Sequence, residues 1–197
     1  DAYLAAFRIP DLIFLLIMTG SFGSAFIPVF RGLLDDDEDA AWRLASAVIT
    51  WTAVLVVVAG VIVLLFADPI VRYLVAPGLS PELQELSARI MRILLAAQLF
   101  IGMGIAAKGI LETHHRFTVP GLAPLLYNVG IIFGAVVLSG RWGVTGLAIG
   151  VVIGGLLHFA VQLPELRNVG IVFQPTLRMV EGLRDVATML GPRVIGQ

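Results

Sequence analysis

Ionisable side chains are scarce in this chain, and those that interrupt apolar stretches are the ones able to do chemistry. Arg8 and Asp11 flank Pro10 inside a run that starts at Asp1 and carries no other formal charge before Arg31. An ionised group at membrane depth faces a cavity or a partner charge, which is one reading of Asp1, Arg8 and Asp11. The alternative places Asp1 and Asp11 at an interface and lets Arg8 extend its apolar stem toward water. Pro10 removes one helical hydrogen bond and crowds the preceding turn, which predicts a kink near Phe7. The acidic run Asp35 to Asp39 lacks both the glycine after alternating acids and the later glutamate that a calcium loop requires. It reads as a solvated loop that caps the next helix. His114 and His115 are adjacent, so on a helix they diverge and lack the four-residue spacing of a metal pair. Asn128 lies inside an apolar run, where an amide either bonds between helices or meets a ligand. No nucleophile with its base and orienter, no phosphate-binding loop and no cofactor fingerprint is present, so neither catalysis nor a cofactor is expected.

The elements that must position these groups follow from composition. Of the 197 residues 58% are hydrophobic and 14% charged, and the mean hydropathy is +0.96. Soluble domains average about 45–50% apolar and about 25% charged, so lipid is the expected solvent. A hydrocarbon core of about 30 Å needs roughly 20 helical residues. Charge-free runs at 12–30, 44–67, 117–140 and 142–164 meet that length, and a shorter one lies between Arg92 and Lys108, whose stems can reach the interfaces. Expected spans are therefore about 2–30, 42–67, 87–112, 118–140 and 142–164. Strands of a membrane barrel would alternate in polarity, whereas Val54 to Val58 and Ile131 to Phe133 are apolar on every side, so the fold class is an all-α polytopic membrane helix bundle.

Net charge of −1 supplies no basic arm for nucleic acid, and with no cysteine neither disulfides nor thiolate chemistry arise. The chain opens on Asp1 without a signal-peptide pattern, and a new apolar pattern begins near Val186, the start of a further span over about 186–197. The expectation is an internal piece of a longer protein. Connections at 31–43, 108–116 and 165–185 carry seven arginines and lysines against four at 68–92 and 141, which places the first set in the cytoplasm. Ser80-Pro81 reads as a helix cap with proline in the first turn, predicting a short helix before the span at 87–112. The segment 167–185 mixes apolar residues with arginines, as an interfacial amphipathic stretch does. Gly130 and Gly134, and Gly146, Gly150 and Gly154, recur every four residues, a spacing that lets helices approach closely.

The pattern Arg116-Phe117, Pro120, Ala123-Pro124 and Asn128 resembles the loop between the fourth and fifth helices of the MurJ (MviN) lipid II flippases, members of the multidrug and oligosaccharidyl-lipid exporter superfamily. The opening Asp1 to Leu12, the stretch Gly20 to Phe30, Ala76-Pro77-Gly78, Gln162 to Leu166 and Leu190-Gly191-Pro192 are similar in the same order. The resemblance implies helices two to six, and the start of seven, in the N-terminal lobe of a two-lobe flippase of the bacterial inner membrane. It implies alternating access around a cationic cavity that takes a polyprenyl-diphosphate-linked glycan while the tail stays among membrane lipids, with a coupling ion left open. It carries substrate roles onto Asp1 and Arg8, while Asn128 is the third candidate contact. Phe14 and Thr19 stand where many members carry an arginine and an acid, which suggests another polyprenyl-linked glycan or a non-transporting membrane scaffold derived from a flippase; a separate alternative is an ion-coupled small-molecule exporter of the same superfamily.

Overall fold

The computed structural model describes residues 2–20 and 25–188. Among them run helices α1 (Ala2–Gly20), α2 (Ile27–Asp36), α3 (Glu38–Ile70), α4 (Pro81–Thr113), α5 (Thr118–Phe133), α6 (Ser139–Trp142), α7 (Val144–Ala160) and α8 (Leu163–Asn168), with a last helical stretch at 183–188. No strand occurs among the described residues. Wider π-helical turns extend α3 through Val71–Val75 and join α5 to α6 through Gly134–Leu138. Four continuous helical stretches are long and apolar enough to cross a membrane: Glu38–Val75, Pro81–Thr113, Thr118–Trp142 and Val144–Asn168. The described residues thus form an all-α polytopic bundle of apolar helices.

Helix starts follow local chemistry. The Asp37 carboxylate accepts from the Ala40 amide at 2.9 Å, and Glu38 and Asp39 fill the first turn of α3, where negative charge complements the helix dipole. The acidic run thus caps α3 as expected, but it is not a loop: Asp35 and Asp36 end α2, Glu38 and Asp39 begin α3, and Asp37 alone lies between them. Ser80 stands at the cap of α4 with an extended backbone and Pro81 follows it, but the Ser80 hydroxyl makes no cap bond. The short separate helix expected before 87 does not exist. Proline costs nothing in a first turn, and no glycine or proline interrupts the chain between Pro81 and Gly102, so α4 runs unbroken for 33 residues. Similarly, α1 stays helical through the buried Pro10, so no break accompanies the kink predicted near Phe7.

Helix α4 is the hub, packing against α1, α3 and α7, while α5 packs on α7. One apolar core joins α1, the end of α3 and the first half of α4, including Ala6, Val71, Ile90 and Leu94. A second joins α2, the start of α3, the end of α4 and α8, including Phe30, Trp42, Leu111 and Leu166. Between α5 and α7 the glycines lie backbone to backbone. A methyl on Gly130 would strike Gly154, and one on Gly134 would strike Gly150. In lipid, where apolar burial between helices gives little net gain, such close approach is what makes van der Waals contact effective.

The segment 167–185, read as an amphipathic stretch, is built from two short helical pieces and an irregular part. α8 ends at Asn168, residues 171–180 have no regular structure, and helix resumes at 183. Two hydroxyls of α3 hold the irregular part. Ser46 Oγ donates to the Val172 carbonyl at 3.3 Å and accepts from the Gln174 amide at 3.1 Å, and Thr50 Oγ1 accepts from the Thr176 amide at 3.3 Å. These bonds replace the helical ones the backbone gives up.

Candidate functional site

One side of α1 is open. Leu4, Arg8, Asp11, Leu12 and Leu15 are exposed and recur every three or four residues, whereas Ala2, Ala5, Ala6, Pro10 and Ile13 are buried on the other side. Arg8 Nη1 donates to the Val75 carbonyl at 2.8 Å, satisfying a group left over where the π-helical turn ends. The other guanidinium N–H groups remain available. They border an open groove of about 440 Å3 formed by Leu4, Ala5, Arg8 and residues 75–79. Gln84 steadies the far wall through a 3.0 Å bond from Nε2 to the Ala76 carbonyl.

Asp11 lies one turn along the same face and has no ion-pair partner among the described residues. Tyr127 of α5 is within electrostatic range of Asp11 and Tyr3. The Tyr3 ring meets Phe7 edge-on, with centroids 5.0 Å apart. An exposed guanidinium and an unpaired carboxylate on an otherwise apolar helix face can together bind an amphiphile carrying both phosphate and hydroxyl groups.

The other sequence candidates fall elsewhere. Asp1 lies outside the described residues, as do the side chains of Phe14 and Thr19. Asn128 is exposed on α5, and its amide donates back to Pro124 of the same helix at 3.0 Å, so it bridges no helices. Arg8 and Asn128 are not linked by a hydrogen bond. His114 stacks on Trp42 with centroids 5.7 Å apart, and its Nδ1 lies 2.9 Å from the Ile110 carbonyl. Neighbouring His115 takes a left-handed turn conformation with φ of 58°. No group of three or more metal-capable side chains occurs among the described residues.

A buried polar pair escaped the sequence reading. The Gln162 side chain is fully buried and donates from Nε2 to the carbonyls of Gly104 at 3.1 Å and His158 at 3.0 Å. The His158 ring lies over Gly104, where a methyl would collide with it. The available signal was the four-residue spacing of His158 and Gln162 inside the uncharged run 142–164.

The whole chain, residues 1–197, matches the family model described as lipid II flippase MurJ. A lipid II flippase MurJ of Burkholderia cenocepacia is 35% identical over 189 residues, covering 93% of this chain and 36% of that protein. A probable lipid II flippase MurJ of Bdellovibrio bacteriovorus is 36% identical over 209 residues, covering all of this chain and 39% of its own length. Among solved structures, a lipid II flippase MurJ in an inward closed conformation superposes with a TM-score of 0.78 at 23% identity, over all of this chain and 41% of that one. The chain thus spans about two fifths of the length of these relatives, and over that stretch its fold is that of the solved flippase. Matched from its first residue to its last, this bundle of apolar helices belongs to the lipid II flippase MurJ family.

Proposed function

We propose that this chain forms the N-terminal lobe of an inner-membrane flippase that moves lipid II, the polyprenyl-diphosphate-linked peptidoglycan precursor, by alternating access against a second lobe. The observation that carries this reading is the open face of α1, where, among the described residues, Arg8 keeps free donors beside a groove and Asp11 lacks a counter-charge. A lipid-facing helix would gain nothing from either group, and an ionised side chain exposed to hydrocarbon costs several kcal/mol even on lenient scales, about 2.5–3.5 for arginine or aspartate. A face turned to a polar cavity removes that cost. There Arg8 takes diphosphate oxygens by charge-assisted bonds, Asp11 accepts from sugar hydroxyls, and the polyprenyl tail stays in lipid. Asp1 and Asn128 belong to the same proposal as further polar contacts, Asp1 on family resemblance and Asn128 on its exposure at α5. The work is transport rather than bond making, and two bundles must move about a shared site for it to occur.

The test is replacement of the flippase in a bacterium depleted of its own, using the full-length protein that contains this lobe. Growth and normal cell-wall synthesis are expected. Lysis despite normal membrane insertion would remove the reading, and a vesicle assay with fluorescent lipid II separates failed transport from failed growth.

A further inference from the structure

A second cavity, of about 280 Å3, lies away from the α1 groove, among α3, α4, the end of α7, α8 and the irregular segment 171–180. Its walls are apolar, with Ile49, Met103, Ile110, Phe159 and Phe173 among them, and its one charged lining residue is Arg167. The irregular segment builds one wall by alternation. Ile171 and Phe173 turn into this cavity, while Val172 and Gln174 turn the other way toward Asp39, Trp42, Arg43 and Ser46. The bonds of Ser46 to Val172 and Gln174 hold that wall against α3.

Among the described residues Arg167 is left without a partner. Glu165, the carboxylate on the same short helix, is taken by Arg116 at 3.5 Å and by Asn168 at 2.9 Å. The Arg167 guanidinium makes neither an ion pair nor a hydrogen bond among the described residues. An apolar slot with one uncompensated cation at its edge has the chemistry of an anionic amphiphile turned inside out. The surrounding bilayer supplies such molecules in excess. Arg167 also lies on the side of the bundle that the arginine excess assigns to the cytoplasm, where anionic headgroups concentrate.

We propose that this cavity is a binding site for an anionic glycerophospholipid, which lays one acyl chain between α3, α4 and the 171–180 segment and sets its phosphate on Arg167. Bound there, the lipid fills space between α3 and α8 and ties the irregular segment to the bundle.

The experiment uses the full-length protein in nanodiscs containing phosphatidylglycerol with a photoactivatable diazirine in the acyl chain, read by peptide mass spectrometry. Expected is concentrated labelling of the α4 peptide around Met103 to Ile110 and of the peptide containing Phe159. Arg167→Gln lowers that labelling about fivefold, which converts to about 1 kcal/mol, while Arg167→Lys retains most of it. Arg141→Gln, at the opposite membrane side, leaves it unchanged. Unlabelled phosphatidylglycerol competes better than phosphatidylethanolamine. Three results would overturn the proposal: absence of label from both peptides, which means protein fills the slot; equal labelling in Arg167→Gln; or stronger competition by undecaprenyl phosphate than by phosphatidylglycerol, which assigns the slot to the polyprenyl lipid. None of these readouts depends on lipid II movement.

Discussion

Arg92 of α4 reaches across to α3, where its Nη2 pairs with the Asp68 carboxylate at 2.5 Å and its Nε donates to the Leu64 carbonyl at 3.3 Å. Between those two partners α3 leaves helical geometry at Phe66, with φ of −107° and ψ of 15°. Pro69, three residues on, has no amide to donate back to the Leu65 carbonyl. One guanidinium thus serves the weakened turn twice. It donates to a backbone oxygen beside the bend and pairs the charge that follows it.

Arg92→Ala is expected to destabilise the full-length protein by about 1 kcal/mol, near the top of the range for an exposed ion pair because a backbone carbonyl also loses its donor. The loss should be local. Faster amide exchange across residues 64–70, with exchange at 40–50 unchanged, is the expected pattern. Arg92→Lys keeps the charge but not the planar fork, so it should fall between the two. Uniform exchange across α3 in all three proteins would show that Arg92 does not hold the bend.

Packing of α5 on α7 gives a sharper contrast. Gly134→Ala forces a methyl into the backbone of Gly150, which has no side chain to rotate away, and should cost about 1–3 kcal/mol or more. Gly60→Ala on α3 meets nothing within 4 Å, and should leave stability unchanged or raise it by up to about 1 kcal/mol through helix propensity. Thermal melting of the detergent-solubilised proteins decides between them. Equal melting temperatures would mean that α5 and α7 separate without loss.

Much of this contrast is legible in the chain itself. The four-residue glycine spacing, the Asp37 cap and the Ser80-Pro81 helix start are local patterns, and local patterns survive into the fold. Helix ends were harder. Charge-free runs stop at Ala67, yet α3 continues, because Asp68 is neutralised by Arg92 and the helix no longer needs apolar residues beyond the hydrocarbon. The backbone of residues 171–180 was not legible for another reason. Their mix of apolar residues and arginine fits an amphipathic helix by composition, and only the alternation of Ile171 and Phe173 with Val172 and Gln174 marks the irregular wall. At the site, Arg8 stood out as a charge in an apolar run. The approach of Tyr127 to the α1 residues packed on the same core depends on how α5 meets α1, which one helix's sequence does not encode.

Orientation can be checked without any transport assay. The chain has no cysteine, so single cysteines placed at His115 and Arg141 report cleanly. These positions lie at opposite ends of the 25-residue stretch Thr118–Trp142, roughly 37 Å at 1.5 Å per residue. An impermeant maleimide added to intact spheroplasts should modify the cysteine at 141 and spare the one at 115. The reverse pattern would invert the topology and move Arg167 to the outer leaflet.

The α1 face yields the most direct functional test. Arg8 is exposed and its one bond among the described residues is to the Val75 carbonyl, so removing it should leave the fold intact while withdrawing a charged donor from the groove. A hydrogen bond to a charged group is worth about 1.5–3 kcal/mol, so Arg8→Ala should slow lipid II movement roughly 10- to 100-fold at limiting substrate. Arg8→Lys should recover part of the rate, because a point charge still attracts phosphate but cannot bond to it and to Val75 in one plane. Asp11→Asn keeps hydrogen-bonding capacity without charge and should have a smaller effect than Asp11→Ala. Melting temperatures measured on the same preparations separate the two roles of Arg8. If Arg8→Ala flips lipid II at the parental rate with an unchanged melting temperature, the groove beside Val75 is not where the diphosphate passes, and the open face of α1 has to be reassigned to contact between lobes.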